Sequence, residues 1–316
     1  MLRTVIARHS HELQALAPIW RRLEVGATLF QSFTWALLAS QYFAGREAPC
    51  VVLVESDSGV ALIPAALCAM GVTLLGETLF DYRDVLCAGD PGVLRQAWSV
   101  VAGLSRRFSF HGLRADALSR WDWAHPLPFC SAPQVRGEEM DADSFAAAHT
   151  RAARLLRRLG RLGVEVRRYD GSAAGLVRWI YQRKAEQPGV SPNLFADPLR
   201  VDFLVEACRQ SAAACEVFTL ETAAHVVAAL VTFRDGAVRR FYTIYHDHEW
   251  ARHSPGIALL FEVTRRSLAD GLDCDYMTGE QPHKTRFATS AVPLLRVSAS
   301  AADLQLAAAE SLPAAA

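Results

Sequence analysis

The chain carries an internal repeat, and the repeat constrains its fold more than any other feature. Cys50-Val-Val-Leu-Val-Glu55 has the pattern of Glu216-Val-Phe-Thr-Leu-Glu221: a short apolar run with β-branched or aromatic residues and an acidic end. Turn residues follow each run (Ser56, Asp57, Ser58; Thr222, Ala223, Ala224), then a second apolar run begins, at Gly59 and at His225. At an offset of 166, Glu55 falls on Glu221, Val60 on Val226, Val72 on Val238 and Asp81 on Asp247. The offset then drops to 164, and Asp90-Pro91-Gly92-Val93 falls on Ser254-Pro255-Gly256-Ile257. A helix-like segment and a further short run close each copy. The paired runs read as β-hairpins. Each copy is therefore strand, strand, strand, Pro-Gly turn, helix, strand, preceded by a helix-rich stretch at 10–45 or 144–210. This predicts an α+β (α/β) chain of two tandem lobes, about 1–140 and 144–300, with mixed, mostly antiparallel sheets flanked by helices. The Ala-rich tail, 301–316, is expected to fray.

Length and composition agree with two packed lobes. The chain has 316 residues, 51% of them hydrophobic and 21% charged, which excludes disorder through its body. Thirty-three basic residues balance 33 acidic ones, so the surface as a whole is not built to coat nucleic acid or an anionic membrane. Seven widely spaced cysteines without a CxxC pair read as reduced, buried thiols of a cytoplasmic protein. The N-terminus, MLRTVIARHSHELQ, is too polar for a secretory signal. Residues 58–76 carry no charge and are long enough to span a bilayer, but Pro64 and Gly71 interrupt them and the repeat reads them as strands.

In both copies a helix starts directly after the third strand. Asp90 and Ser254 are suitable N-caps, and Pro91 and Pro255 suit a first helical turn. Such an end presents unpaired N–H groups and a positive dipole end, both favourable to phosphate.

This order resembles the GNAT N-acyltransferase fold, in which that helix end holds the pyrophosphate of acetyl-CoA. The family signature R/Q-x-x-G-x-G/A is met here by His253-Ser254-Pro255-Gly256-Ile257-Ala258, with His253 in place of Arg or Gln. Over residues 30–287 the chain resembles the CelD-type branch, associated with cellulose biosynthesis, which carries two GNAT-like halves. The resemblance rests on Phe30-Gln31-Ser32-Phe33-Thr34-Trp35, on Asp81-Tyr82-Arg83-Asp84-Val85-Leu86, on Tyr245-His246-Asp247 with Ser254-Pro255-Gly256, and on Asp273 to Lys284. In the last, Tyr276 and His283 replace the usual Phe and Tyr. Fem-type transferases, which take an amino acid from aminoacyl-tRNA, share the architecture and the FQSxxW-like start, so the label leaves the donor open.

The resemblance implies an N-acyltransferase that moves an acyl group from acyl-CoA, acetyl-CoA first, to an amine of a small molecule or sugar. The alternatives are a Fem-like aminoacyl-tRNA-dependent transferase and a non-catalytic binding protein that kept the fold. Attack of an amine on a thioester needs a deprotonated amine, a donor to the oxyanion and a proton for the leaving group. Asp275 or Glu280 is expected as base or amine anchor, with Lys284 pairing one of them or a substrate phosphate, or else as a structural pair. Tyr245 is a candidate proton donor to the leaving thiolate. His253, Ser254, Gly256, Ile257 and Ala258 are the expected donor-binding residues, with the second lobe holding the donor. Asp81, Tyr82, Asp84, Arg178, Trp179 and Tyr242 are expected on the acceptor side. Tyr242 and Tyr245 fit one strand face only if a bulge or the strand end intervenes.

His246, His248 and His253 cluster about Asp247 without helical metal-ligand spacing, so a general-base histidine is favoured over a metal site. Residues 151–168 hold seven arginines against one glutamate. Arg151, Arg154, Arg158 and Arg161 follow helical spacing, either as a solvated face or as a contact for CoA phosphate, an acyl carrier protein or tRNA. The segment Gln187–Pro198 reads as a loop over the site.

Overall fold

A computed structural model describes residues 2–121, 123–187 and 193–309. The chain divides into two compact units, 1–130 with 293–316, and 131–292.

In the first unit, β1 (Arg3–Ala7) is followed by α1 (Ser10–Ala15), α2 (Ala17–Leu23) and α3 (Phe33–Tyr42), then by the short β2 (Ala48–Pro49). The repeat begins at β3 (Val51–Glu55) and β4 (Gly59–Ile63), an antiparallel hairpin. β1 pairs antiparallel with β3 on its free side. At Pro64 the second strand breaks and resumes as β5 (Ala65–Cys68), which pairs antiparallel with β6 (Gly71–Leu74). The uncharged run 58–76 thus folds as strands. An additional strand, β7 (Leu86–Gly89), lies against β4 and leads to α4 (Pro91–Ala102) and β8 (Arg107–Arg114). β6 and β8 are parallel.

β3 is buried along nearly its whole length because both of its faces are covered. Val52 and Val54 join the α4 side with Trp98, Phe110 and Trp121, while Val51 and Leu53 join Leu13, Trp20 and Phe33 on the α1–α3 side.

The second unit repeats this pattern with longer strands. After residues 131–135 of β9 (Leu127–Val135) come α5 (Ala142–Ala148), α6 (Thr150–Arg161) and β10 (Glu165–Asp170). Then come α7 (Ala174–Glu186), α8 (Pro198–Gln210), β11 (Cys215–Glu221), β12 (Val226–Asp235) and β13 (Val238–His246). β10 to β13 form an antiparallel meander. α9 (Pro255–Ala269) and β14 (Asp273–Asp275) follow, and the four-residue α10 (Pro282–Thr285) comes after them. β14 pairs parallel to β13 as β8 does to β6, and antiparallel to β9. α9 lies on one face, where Leu259 and Phe261 pack with Phe145, Phe218, Leu230 and Phe241.

The stretch 144–210 is helix-rich as expected, and within it β10, with Arg167 and Arg168 exposed, opens the second copy as β1 opens the first. Two expectations need correction. The chain from Pro293 on returns to the first unit, where Leu294–Ser300 of β15 (Ser290–Ser300) pairs with β8. The tail does not fray from residue 301: Ala301–Ala309 forms α11 with Leu304 fully buried in the α4-side core. Residues 310–316, and the 188–192 part of the expected loop, lie outside the described residues; Asn193 caps a 3-10 turn there at Leu194–Ala196. No helix among the described residues is long and apolar enough to cross a membrane.

Candidate functional site

The second unit opens a wedge at the carboxyl end of β13. β14 pairs with β13 over Val238–Arg240 only, while β13 continues to His246. Beyond Arg240 no strand among the described residues takes that edge of β13. A bulge skips Tyr242 in the β12–β13 register, Thr243 facing Val231 and Phe241 facing Thr232. The parity problem between Tyr242 and Tyr245 is resolved this way. Past the bulge, Thr243 and Tyr245 face α7, through the Tyr181 hydroxyl at 3.3 Å and the Trp179 ring at 5.3 Å. Ile244 and His246 face the start of α9: a Cβ placed on Gly256 would sit 3.6 Å from Ile244 and from His246 Nδ1.

A cavity of about 320 Å³ occupies the wedge, lined by Lys184, Ile244, His246, Ser254, Gly256 and His283 among others. The first-turn N–H groups of Gly256 and Ile257 have no intrahelical acceptor. Ser254 stands at the N-cap in the left-handed region, φ 51°, and its side chain makes no capping bond, contrary to the cap expected of it. A non-glycine residue held there stores strain of a kind that clusters at ligand sites. Lys184 lines the cavity, its ammonium 5.7 Å from the centroid of the Phe195 ring, and burial lowers its pKa. Helix end, lysine and the open space left by glycine together fit a pyrophosphate.

The corresponding end of α4 in the first unit is closed. Asp90 accepts the Gly92 N–H at 2.8 Å and the Ser58 hydroxyl at 3.2 Å. Its carboxylate fills the place an anion would take, and a Cβ on Gly59 would come within 2.7 Å of the Asp90 nitrogen.

A second cavity of about 640 Å³ adjoins the wedge, and both are lined by His246 and Gln187. Its walls include Trp179, Tyr245, Glu186, Asp247 and Glu249. Gln187 Nε2 donates to the His246 carbonyl at 3.0 Å. Burial, then Lys184, lower the His246 pKa against the opposing pull of Asp247, so the imidazole is neutral at pH 7. Burial and Asp247 raise that of Tyr245, which keeps its phenol protonated. Among the described residues no group of three His, Cys, Asp or Glu is placed to hold a metal.

Several expected site residues stand elsewhere. Asp275 is fully buried; its Oδ2 accepts from Arg240 at 2.6 Å and its Oδ1 from the Met277 N–H at 2.8 Å. It lines neither cavity, so a general-base role has no geometric support. The Lys284 ammonium donates to the Thr278 carbonyl at 2.6 Å and the Met277 carbonyl at 3.4 Å. Glu280 is exposed and accepts from the Ser131 hydroxyl.

Of the expected donor residues, Ser254, Gly256 and Ile257 line the wedge, Ala258 is buried in the core, and His253 turns inward, 8% exposed, its ring tilted against Trp250 at 5.4 Å. His253 therefore does not take the place of the signature Arg or Gln. On the acceptor side, Trp179 lines the larger cavity. Arg178 points outward to Asp202 at 2.6 Å, and Tyr242 packs its ring against Phe233. Tyr245 lines the larger cavity rather than the wedge.

In the first unit, Tyr82 is 2% exposed and Asp84 is bound by Arg120 and the Trp121 indole. Burial outweighs Arg120 and lifts the Asp84 pKa to about 6. Both line a separate 210 Å³ cavity of that unit, which Asp81 does not reach.

Sequence reading missed Lys184 and the junction role of Gln187. Both lie in the segment from Arg178 onward, three residues apart and so on one side of the α7 end, but only the fold brings His246 and His283 to them.

Residues 144–285 match the Acetyltransferase (GNAT) domain family. No curated protein matches the sequence. Among solved structures, the chain is similar to the C-terminal domain of a putative lysylphosphatidylglycerol synthetase from Agrobacterium fabrum. Identity is 11%, coverage 93% of this chain and 95% of that one, and the TM-score 0.61. It is also similar to FemX (9% identity, 96% and 99% coverage, TM-score 0.55). A third likeness is to a tandem GNAT protein from the clavulanic acid biosynthesis pathway (11% identity, 95% and 99% coverage, TM-score 0.52). At these identities the likeness is one of fold. The chain is GNAT-like: residues 144–285 match the GNAT domain family, and a tandem GNAT protein and FemX are among the solved structures that share its fold.

Proposed function

We propose that the protein is an N-acyltransferase that takes an acyl group from acyl-CoA, held in the wedge at the start of α9, and passes it to an amine in the adjoining cavity. The observation that carries this reading is the meeting of the two cavities at His246. Bound there, the donor supplies a thioester carbonyl. The α9 end and Lys184 take its phosphates. His246, neutral at pH 7, accepts the proton that the amine loses as the carbon–nitrogen bond forms and the carbon–sulfur bond breaks. The unpaired edge of β13 past Arg240 offers backbone N–H groups to the developing oxyanion. The departing thiolate regains a proton from the imidazolium or from water.

A ligand that binds only the folded state, at 100 times its Kd, adds about 2.7 kcal/mol of stability. Acetyl-CoA at that excess should raise the melting temperature of the wild type, and Lys184→Ala should weaken donor binding about tenfold, or ~1.4 kcal/mol. An unmoved melting temperature with acetyl-CoA and longer acyl-CoAs would end the CoA reading.

One observation favours aminoacyl-tRNA instead. Arg151, Arg154, Arg158 and Arg161 are all exposed on α6 and form no ion pair among the described residues. Arg158 lies near enough to His253 to help lower its pKa, after burial, which sets this basic face beside the start of α9. Binding of aminoacylated tRNA with a steep salt dependence, in the absence of any acyl-CoA effect, would select that donor. Donor binding without turnover on any amine would select the non-catalytic reading.

A further inference from the structure

We infer that the first unit carries a binding site of its own for a small monocarboxylate, a single negative charge on a short apolar body. The inference stands on that unit alone and does not depend on the transferase reading.

The site is the 210 Å³ cavity where the stretches 30–35 and 81–86 meet. Gln31 joins the two, its Nε2 donating to the Tyr82 carbonyl at 2.9 Å. Three arginines line the cavity, Arg83, Arg114 and Arg120, against two aspartates, Asp84 and Asp116. That leaves one positive charge, which balances a monocarboxylate and not a dianion. Leu23, Ala27 and Leu86 supply an apolar wall.

Arg83 is what calls for a ligand. It is 2% exposed and forms no ion pair among the described residues. Its Nη1 donates to the Leu74 carbonyl at 2.9 Å and its Nε to the Phe80 carbonyl at 3.4 Å, but Nη2 is buried without a hydrogen-bond partner. Glu47, the carboxylate that acts most strongly on the Arg83 charge, accepts instead from the Gly76 and Glu77 N–H groups, at 3.1 and 2.8 Å. A buried donor left unpaired is costly, and a charged one more so. A void of about 10 Å³, room for one oxygen atom, shares Gln31, Arg83 and Asp84 with the cavity. In the proposed complex the carboxylate sets one oxygen there, on Nη2, and turns the other toward Arg114.

The two aspartates leave this place open. Asp84 is taken up by Arg120, by the Trp121 indole at 3.3 Å and by the Val85 N–H at 2.8 Å. The Asp116 side chain is 62% exposed and takes Nε and Nη2 of Arg114, which leaves the Nη1 donors of that guanidinium for a ligand.

Titration calorimetry of the intact protein with butyrate, and with n-butanol as its uncharged counterpart, tests this. Butyrate should bind saturably at one site, and at least about tenfold more tightly than n-butanol. Arg114→Gln should weaken butyrate about five- to tenfold, and Arg83→Gln by at least about tenfold. Arg83 is buried, so its variant is read only where circular dichroism shows it folded; the partly exposed Arg114 carries the test otherwise. Lys184→Ala, which alters the wedge of the second unit, should leave butyrate affinity unchanged. Absence of saturable butyrate binding, equal affinity for n-butanol, or wild-type butyrate affinity in Arg114→Gln would overturn the inference. A loss of butyrate binding in Lys184→Ala would overturn it too, by putting the anion in the wedge.

Discussion

Asp275→Ala is expected to lower the melting temperature by about 6–12 °C without changing the pH profile of the surviving folded enzyme. Asp275 is fully buried and paired with Arg240, itself 5% exposed. Removing one member of a buried pair leaves an uncompensated charge and costs about 3–5 kcal/mol. The low end applies here, because Arg240 keeps Asp235 at 2.6 Å. At about 2–4 °C per kcal/mol for a unit of this size, the shift follows. Asp275 also accepts the N–H of Met277, which sits at φ 62°, so the turn after β14 loosens in the variant. Replacing both partners with apolar residues of similar volume should recover much of the loss. Loss of turnover at an unchanged melting temperature would return Asp275 to the chemistry.

His246→Ala should reduce kcat about 10²- to 10⁴-fold, the usual range for a positioned general base, with little change in melting temperature. The sign of the pH dependence follows from the lowered pKa. The base works only when neutral. Activity on the wild type therefore rises with pH through a value below the ordinary histidine range near 6.5 and is level by pH 7, as far as His246 controls it. Below that value the imidazolium cannot take the amine proton, and activity is lost. The variant should lack this acid limb and keep only the rise that comes from the amine's own ionisation. An acid limb that survives in His246→Ala would place the base elsewhere.

Much of the fold was legible because the repeat is written in turn chemistry. Ser56–Ser58 and Thr222–Ala224, and the two Pro-Gly helix starts, keep their spacing although the strands between them share little identity. Side-chain parity between Tyr242 and Tyr245 called for a bulge or the strand end, and a bulge is what stands there. What escaped was written in partners distant in sequence. β10 is a sheet-edge strand with outward polar residues and shows no apolar run, and its Arg167 and Arg168 read as the continuation of a basic helix. The Asp275–Arg240 pair spans 35 residues, so no local spacing announces it. The wedge residues Ser254, Gly256 and Ile257 were named from the signature, whereas Lys184 depends on α7 meeting the end of β13. The inward turn of His253 explains how the signature position departs from Arg or Gln: the side chain packs near Trp250 instead of facing the wedge.

The central claim is that the start of α9 holds the donor and the start of α4 does not. Donor affinity by titration calorimetry, with acetyl-CoA, tests it on Gly256→Val and Gly92→Val, circular dichroism confirming that both fold. At Gly256 the nearest atoms to an added Cβ lie at 3.6 Å, so the helix accepts the side chain while the wedge loses the space a pyrophosphate needs. At Gly92 the nearest atom is the Asp90 side chain at 3.1 Å, in an end already closed. The account predicts a loss of at least about 100-fold in Gly256→Val and wild-type affinity in Gly92→Val. Equal losses in both, a loss in Gly92→Val alone, or full affinity in both would contradict it.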